Sequence, residues 1–149
     1  MLDFQELTKF HSPGYVIDVF CDGEEKEFVY GYRETRPQQL KSDSSTLYDI
    51  ASLTKVYTAT LIYIAQEEKK LSVYDFVTDI ETRFSQLSQV RILDLLSHNQ
   101  DIWTDGYLGN AHSKEEFYQI LFSAYVKGTF PTYVDTHYII LSTLLETIY

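Results

Sequence analysis

The sequence predicts an α+β fold in which an N-terminal β-hairpin precedes a mostly helical region. Three observations carry that prediction. Two β-rich runs, Tyr15 to Phe20 and Lys26 to Tyr32, flank Cys21-Asp22-Gly23-Glu24-Glu25, which holds an Asp-Gly turn signal. The run from Leu53 to Ala65 contains neither Gly nor Pro and is apolar on almost every face, as expected of a helix buried at the centre of a domain. Downstream, apolar residues recur at helical spacing, first as Ile92, Leu95 and Leu96 and later as Tyr138, Leu141, Leu145 and Ile148.

Taken in order, residues 3–10 can form a short amphipathic helix with Phe4, Leu7 and Phe10 on one side, ending before Pro13-Gly14. The hairpin follows. Arg33 to Ser45 is polar and carries Pro37, which reads as a connecting loop. After the central helix, Leu71 to Ser88 is a mixed segment of short turns, and Val90 to Ser97 is helical. Ser113-Lys114-Glu115-Glu116 is a capping box opening a helix to about Tyr125. Val126 to Thr132 is a turn-rich loop, and an amphipathic helix runs from Thr136 onward. The whole reads as one partial domain, with the N-terminal helix, hairpin and loop in 1–48 and the helical region in 49–149.

Composition narrows the function classes. A net charge of −10 argues against a nucleic-acid surface, which needs clustered Lys and Arg. No apolar run reaches membrane-spanning length. The single Cys21 excludes an internal disulfide and reads as a small, semi-buried residue. The four histidines do not pair at helical metal-ligand spacing, and nothing resembles a zinc site. Met1-Leu2-Asp3-Phe4-Gln5-Glu6 lacks the basic start and apolar core of a signal peptide. As written the chain reads as cytoplasmic, an export signal outside it being invisible to this reading. Thirteen tyrosines and nine phenylalanines imply aromatic packing or an aromatic-walled cleft. For Tyr57, Trp103 and Tyr107 core packing is the preferred placement.

Chemistry concentrates at the start of the central helix. Ser52 and Lys55 lie three residues apart and share a helical face. A serine hydroxyl becomes a useful nucleophile when a neighbouring base takes its proton. Lys55 would sit near the positive end of the helix dipole in an apolar setting, and both effects favour the neutral amine. The spacing alone is unspecific. With 12 serines and 8 lysines in 149 residues, chance gives roughly 0.6 occurrences, so the surroundings must decide.

The surroundings resemble a known family. Thr46-Leu47-Tyr48-Asp49-Ile50-Ala51-Ser52-Leu53-Thr54-Lys55 is similar to the nucleophile segment of the serine β-lactamase and penicillin-binding-protein superfamily, nearest to its class C β-lactamase-like branch. The segment Glu67 to Asp75 resembles the turn after that family's nucleophile helix. Val90-Arg91-Ile92-Leu93-Asp94-Leu95-Leu96-Ser97-His98 resembles its Ile-x-x-Leu-Leu-x-His helix, and Phe130 to Tyr138 the segment with its Tyr-x-Asn motif.

The resemblance implies an acyl-enzyme hydrolase acting on an amide, ester or β-lactam, with a small-molecule or peptide acyl substrate and no metal or organic cofactor. Residues 1–149 alone are expected to be incomplete as a catalyst, because the family's third motif is missing from them. It implies that Ser52 is the nucleophile, Lys55 its base or proton relay, and Tyr133 the tyrosine that shares proton transfer. Asp135 stands where the family has Asn, in a substrate-binding position. An ionised Asp only accepts hydrogen bonds, whereas an amide also donates. Asp135 also stands where a helix N-cap belongs. His98 is assigned a structural hydrogen bond.

The resemblance covers the front half of a family member. The later strands, one of which carries a Lys-Thr-Gly or His-x-Gly motif, have no counterpart in residues 1–149. Lys127-Gly128-Thr129 precedes Tyr133 and reads as loop. A hairpin without neighbouring strands is marginal, so either more chain, a partner, or self-association through the hairpin is expected to complete the sheet. Two other readings stand beside the hydrolase: a non-catalytic binding module, and a plain helical domain with an accidental motif.

Overall fold

Asp22 and Gly23 both take positive φ, 53° and 80°, the conformation of a two-residue hairpin turn that follows the strand twist. This turn joins β1 (Gly14–Cys21) to β2 (Glu24–Glu34), paired antiparallel from Gly14↔Gly31 to Cys21↔Glu24. The structure is a computed structural model that describes residues 12–128 and 130–149. The helix expected over 3–10 lies outside the described residues.

The chain divides into two compact units, Met1–Asp49 and Ile50–Tyr149. In the first, the three-stranded sheet has the order β1-β2-β3. Here β3 (Leu40–Lys41) falls inside the segment expected to be loop, pairing Tyr32↔Lys41 and Glu34↔Leu40 across a register shift. Two residues are too few to show a period of two. The cross-strand pair Tyr15 and Tyr30 stacks with ring centroids 5.3 Å apart. Gly31 has φ 73°, and a Cβ there would run into the Pro13 carbonyl, so glycine is required by both conformation and space. Cys21 is exposed, correcting its semi-buried placement, because it closes the hairpin at the turn.

The second unit contains α1 (Thr54–Glu67), α2 (Val77–Ile80), α3 (Ile92–Leu96), β4 (Asp101–Trp103), α4 (Lys114–Phe122), β5 (Tyr125–Gly128) and α5 (Asp135–Ile148). Its core includes Ile62, Val77, Phe84, Leu87, Ile92, Leu95, Leu121, Ile140, Leu141 and Leu144, all fully buried. Helix α5 packs against α1, α2, α3 and β4 and buries His137, Ile140, Leu141, Thr143, Leu144 and Leu145. Helix α1 buries only Ile62 and Ala65. The expectation that α1 is the buried central helix is therefore corrected: α5 holds that place. An apolar composition says that a helix can be buried, and the partners that cover it decide whether it is.

Strands β4 and β5 pair antiparallel with Trp103↔Tyr125 and Ile102↔Val126; α4 ends at Phe122, short of the expected Tyr125, and β5 runs from Tyr125 into the segment expected to be loop. Lys127 and Gly128 belong to β5, again strand rather than loop. Both strands are too short to announce themselves by alternation. Helix α4 starts as its sequence requires, with Ser113 Oγ accepting from the Glu116 N–H at 3.1 Å. The Glu116 carboxylate accepts from the His112 N–H at 2.8 Å, one residue earlier than in the reciprocal box. Short helices α2 and α3 share one device. Asp79 accepts from the Phe76 N–H and Asp94 from the Arg91 N–H, both at 2.9 Å, supplying acceptors to orphan first-turn donors.

Candidate active site

Ser52 lies in a single 3-10 turn, residues 51–53, that leads into α1. The preceding Ala51 takes φ 44°, a left-handed conformation that costs a residue with a Cβ about 1–2 kcal/mol. The turn leaves Ser52 exposed. Lys55 is the second residue of α1, on the same face, and its Nζ donates to Ser52 Oγ at 3.0 Å. From the other side of the cleft, α5 brings its first residue, Asp135, whose Oδ1 accepts from Lys55 Nζ at 2.5 Å. The N-cap of α5 is Val134, so Asp135 occupies the first helical position instead of the cap. Tyr133 precedes it on the loop, with Lys55 Nζ 5.0 Å from the ring centroid. The four residues singled out by sequence thus meet in one place.

Charge at this place differs from the expectation. The Asp135 hydrogen bond holds the Lys55 ammonium and raises its pKa above the ordinary value, outweighing the opposing effect of burial. This corrects the expectation of a lysine biased towards its neutral form: the helix N-terminus and the apolar setting lose to a carboxylate in direct contact. Tyr133 moves the opposite way. Hydrogen bonding from Ser52 and then from Lys55 lowers the phenol below its usual range, while Asp135 pushes it slightly back. Lys55 therefore donates to the Ser52 oxygen, and the Ser52 hydroxyl is left to donate to the Tyr133 oxygen.

A protein-family model described as Beta-lactamase matches residues 4–149. The chain belongs to the beta-lactamase family. Among curated relatives, a beta-lactamase of Lysobacter lactamgenus is 30% identical over 94 residues, a match covering 62% of this chain and 24% of that protein. A beta-lactamase of Providencia stuartii is 32% identical over 92 residues, covering 60% and 24%. A class C beta lactamase from Rhodobacter sphaeroides superposes with a TM-score of 0.78 at 19% identity, over 97% of this chain and 42% of that one. A class C beta-lactamase in complex with cefoxitin gives 0.74 at 21% identity, over 95% and 42%. These two likenesses show the fold. The chain spans less than half the length of the proteins it matches. As expected, it is α+β with the hairpin first and the helices after it, a partial beta-lactamase-like fold.

In this beta-lactamase-family chain two grooves meet at Asp135 and Ile139. One, of about 530 Å³, is lined by Ser52, Lys55, Thr58, Tyr138 and Ser142. The other, of about 500 Å³, is lined by Tyr107, Leu108, Phe117, Tyr133 and Thr136. Tyr57, Trp103 and Tyr107 are all exposed, against the expectation of core packing, and Tyr107 walls the second groove. The sequence reading missed Tyr138 and His137. Tyr138 lies 5.9 Å from Lys55 Nζ by its ring centroid and donates its hydroxyl to the Leu96 carbonyl at 3.0 Å. His137 is fully buried and pairs with His98. A signal for it was present, since His137, Leu141 and Leu144 share one helical face of otherwise apolar residues. Among the described residues no three His, Cys, Asp or Glu side chains converge as a metal site would. No helix of the described residues is long and apolar enough to cross a membrane.

Proposed function

We propose that this chain carries the acyl-transfer site of a serine hydrolase of beta-lactamase type, with Ser52 as nucleophile. The Tyr133 oxygen takes the Ser52 proton as Oγ attacks an amide, ester or β-lactam carbonyl, forming an ester and expelling the amine, alcohol or opened-ring nitrogen, which receives the proton from Tyr133. Water then cleaves the acyl-enzyme. Lys55 acts as a charged donor to Ser52 and as the cation that stabilises a Tyr133 phenolate. Asp135, a substrate-binding position by resemblance, keeps Lys55 charged and presents an acceptor where the family presents an amide. The observation that carries this reading is the Lys55–Ser52 hydrogen bond, together with the lowered Tyr133 phenol that both residues contact. The candidate substrates are a β-lactam, a D-Ala-D-Ala peptide stem or a simple ester, with no cofactor.

A second reading, a module that binds an acyl ligand without turnover, is favoured by one specific observation. Ser52 and Tyr133 are exposed, so the water exclusion that strengthens such interactions is weak here. A chromogenic cephalosporin and an aryl ester, each mixed with residues 1–149, distinguish the two. The hydrolase reading predicts a burst of leaving group equal to the protein concentration, followed by slow turnover and absent in Ser52→Ala. Release unaffected by Ser52→Ala, or none from wild type, would remove it. Exposed Phe20, Val29 and Tyr30 in the first unit support self-association through the hairpin. Light scattering that finds only monomer at all concentrations would discard that part.

A further inference from the structure

Helix α3 ends in a turn where the Asn99 N–H returns to the Asp94 carbonyl at 2.8 Å and the His98 N–H to the Leu95 carbonyl at 3.2 Å. In such a turn the residue just past the helix is left-handed, and glycine is its usual occupant. Here His98 takes it, at φ 53°. The end of α1 uses the same turn with Lys69 at φ 59°, so the backbone solution recurs while the side chain differs.

The His98 side chain joins two parts of the molecule. Its Nδ1 lies 2.7 Å from Nδ1 of His137, which is fully buried on α5. Its ring packs on Tyr133 with centroids 4.5 Å apart and on Tyr138 at 5.2 Å. Two imidazole nitrogens can bond only when one carries a proton and the other a lone pair, so two neutral rings must hold complementary tautomers. Burial and the His98 ring push His137 down to about 4, and burial with the Lys55 charge lowers His98. The pair is therefore neutral near pH 7. The titratable groups that face it are Lys55 on α1, Asp101 on β4, Tyr133 on the loop, and Asp135 and Tyr138 on α5.

We propose that His98 is a positioning residue for Tyr133: one proton shared with His137 fixes the His98 ring, and that ring holds the phenol oxygen at Ser52 and Lys55. This rests on the reading of Tyr133 as the base. A second proton on the pair would set two donors nose to nose, break the bond and free the ring from Tyr133. Since His98 is neutral at pH 7, its removal acts on Tyr133 through position and not through charge.

The test is nuclear magnetic resonance on residues 1–149 with ¹⁵N-labelled histidine and ring-labelled tyrosine, in wild type, His98→Asn and His137→Phe. Asparagine tolerates the left-handed backbone and keeps a donor near Nδ1 but removes the ring. Complementary tautomers are expected in wild type, Nδ1–H on one ring and Nε2–H on the other. In His98→Asn the Tyr133 titration is expected to move up towards the ordinary phenol value of about 10, with the melting temperature retained. Identical tautomers, or an unmoved Tyr133 titration in a folded His98→Asn, would overturn the proposal. Should His137→Phe fail to fold, His98→Asn decides alone. These signals do not depend on turnover. If Ser52 acylation is unaffected by Tyr133→Phe while the resonances behave as expected, it is the base assignment that has failed, and the positioning of Tyr133 stands.

Discussion

Helices α1 and α5 have the same length, 14 residues, and both are rich in apolar side chains, yet they end up in opposite situations. Helix α5 buries six positions, including a histidine and a threonine, while α1 buries two. On α1, Val56, Tyr57 and Leu61 are exposed, and its first turn brings Lys55 to the Ser52 of the preceding 3-10 turn. The comparison separates two jobs that look alike in composition. Helix α5 organises the fold, and in the proposed function α1 organises the chemistry. Its exposed flank lies on a chain that covers less than half the length of the solved structures it matches.

The largest effects should appear where chemistry is cut without touching the core. We predict that Tyr133→Phe and Lys55→Ala slow Ser52 acylation by about 10²–10⁴-fold, the usual range for losing a proton-transfer group. Denaturation midpoints should hardly move. Lys55→Arg should keep a measurable share of the rate, because in the proposed function the lysine acts through its charge. An arginine variant as inactive as the alanine variant would restore Lys55 as the base.

The converse prediction breaks the comparison from the other side. Leu141→Ala on α5 removes a fully buried side chain and should cost about 2–5 kcal/mol in urea unfolding. Leu61→Ala on α1, 48% exposed, should cost less than about 1 kcal/mol. Equal costs would mean that α1 is as central as α5.

Much of this was legible in the residues, and the failures have physical causes. Asp22-Gly23 specified its turn because both positions need positive φ. Ser113 specified a helix start through its hydroxyl, and the spacing of Ser52 and Lys55 specified their contact. Strands β3, β4 and β5 were invisible because two to four residues show no period. The Lys55 charge state was misjudged because its controlling partner, Asp135, lies 80 residues away in sequence. His98–His137 escaped for the same reason, at a separation of 39. Local chemistry reads from sequence, and electrostatics set by distant partners does not.

A smaller effect sharpens the electrostatic part. Asp135 raises both Lys55 and Tyr133, so Asp135→Asn lowers both. Acylation that needs an ionised Tyr133 beside a charged Lys55 rises through the first pKa and falls through the second. The whole bell should therefore move to lower pH in Asp135→Asn, measured as labelling rate against pH. A shift to higher pH would contradict the assignment. The smallest effect belongs to α4, where Ser113→Ala should cost about 1 kcal/mol by thermal unfolding through loss of one capping bond. It should leave acylation untouched.

The central claim is that Ser52 is a nucleophile held ready by Lys55 and Tyr133, and intact-mass spectrometry after exposure to a fluorophosphonate tests it most directly. Wild type should gain one adduct, localised to Ser52 by peptide mapping, and Ser52→Ala should gain none. Equal labelling of both proteins, or an adduct mapped to another serine, would contradict the account.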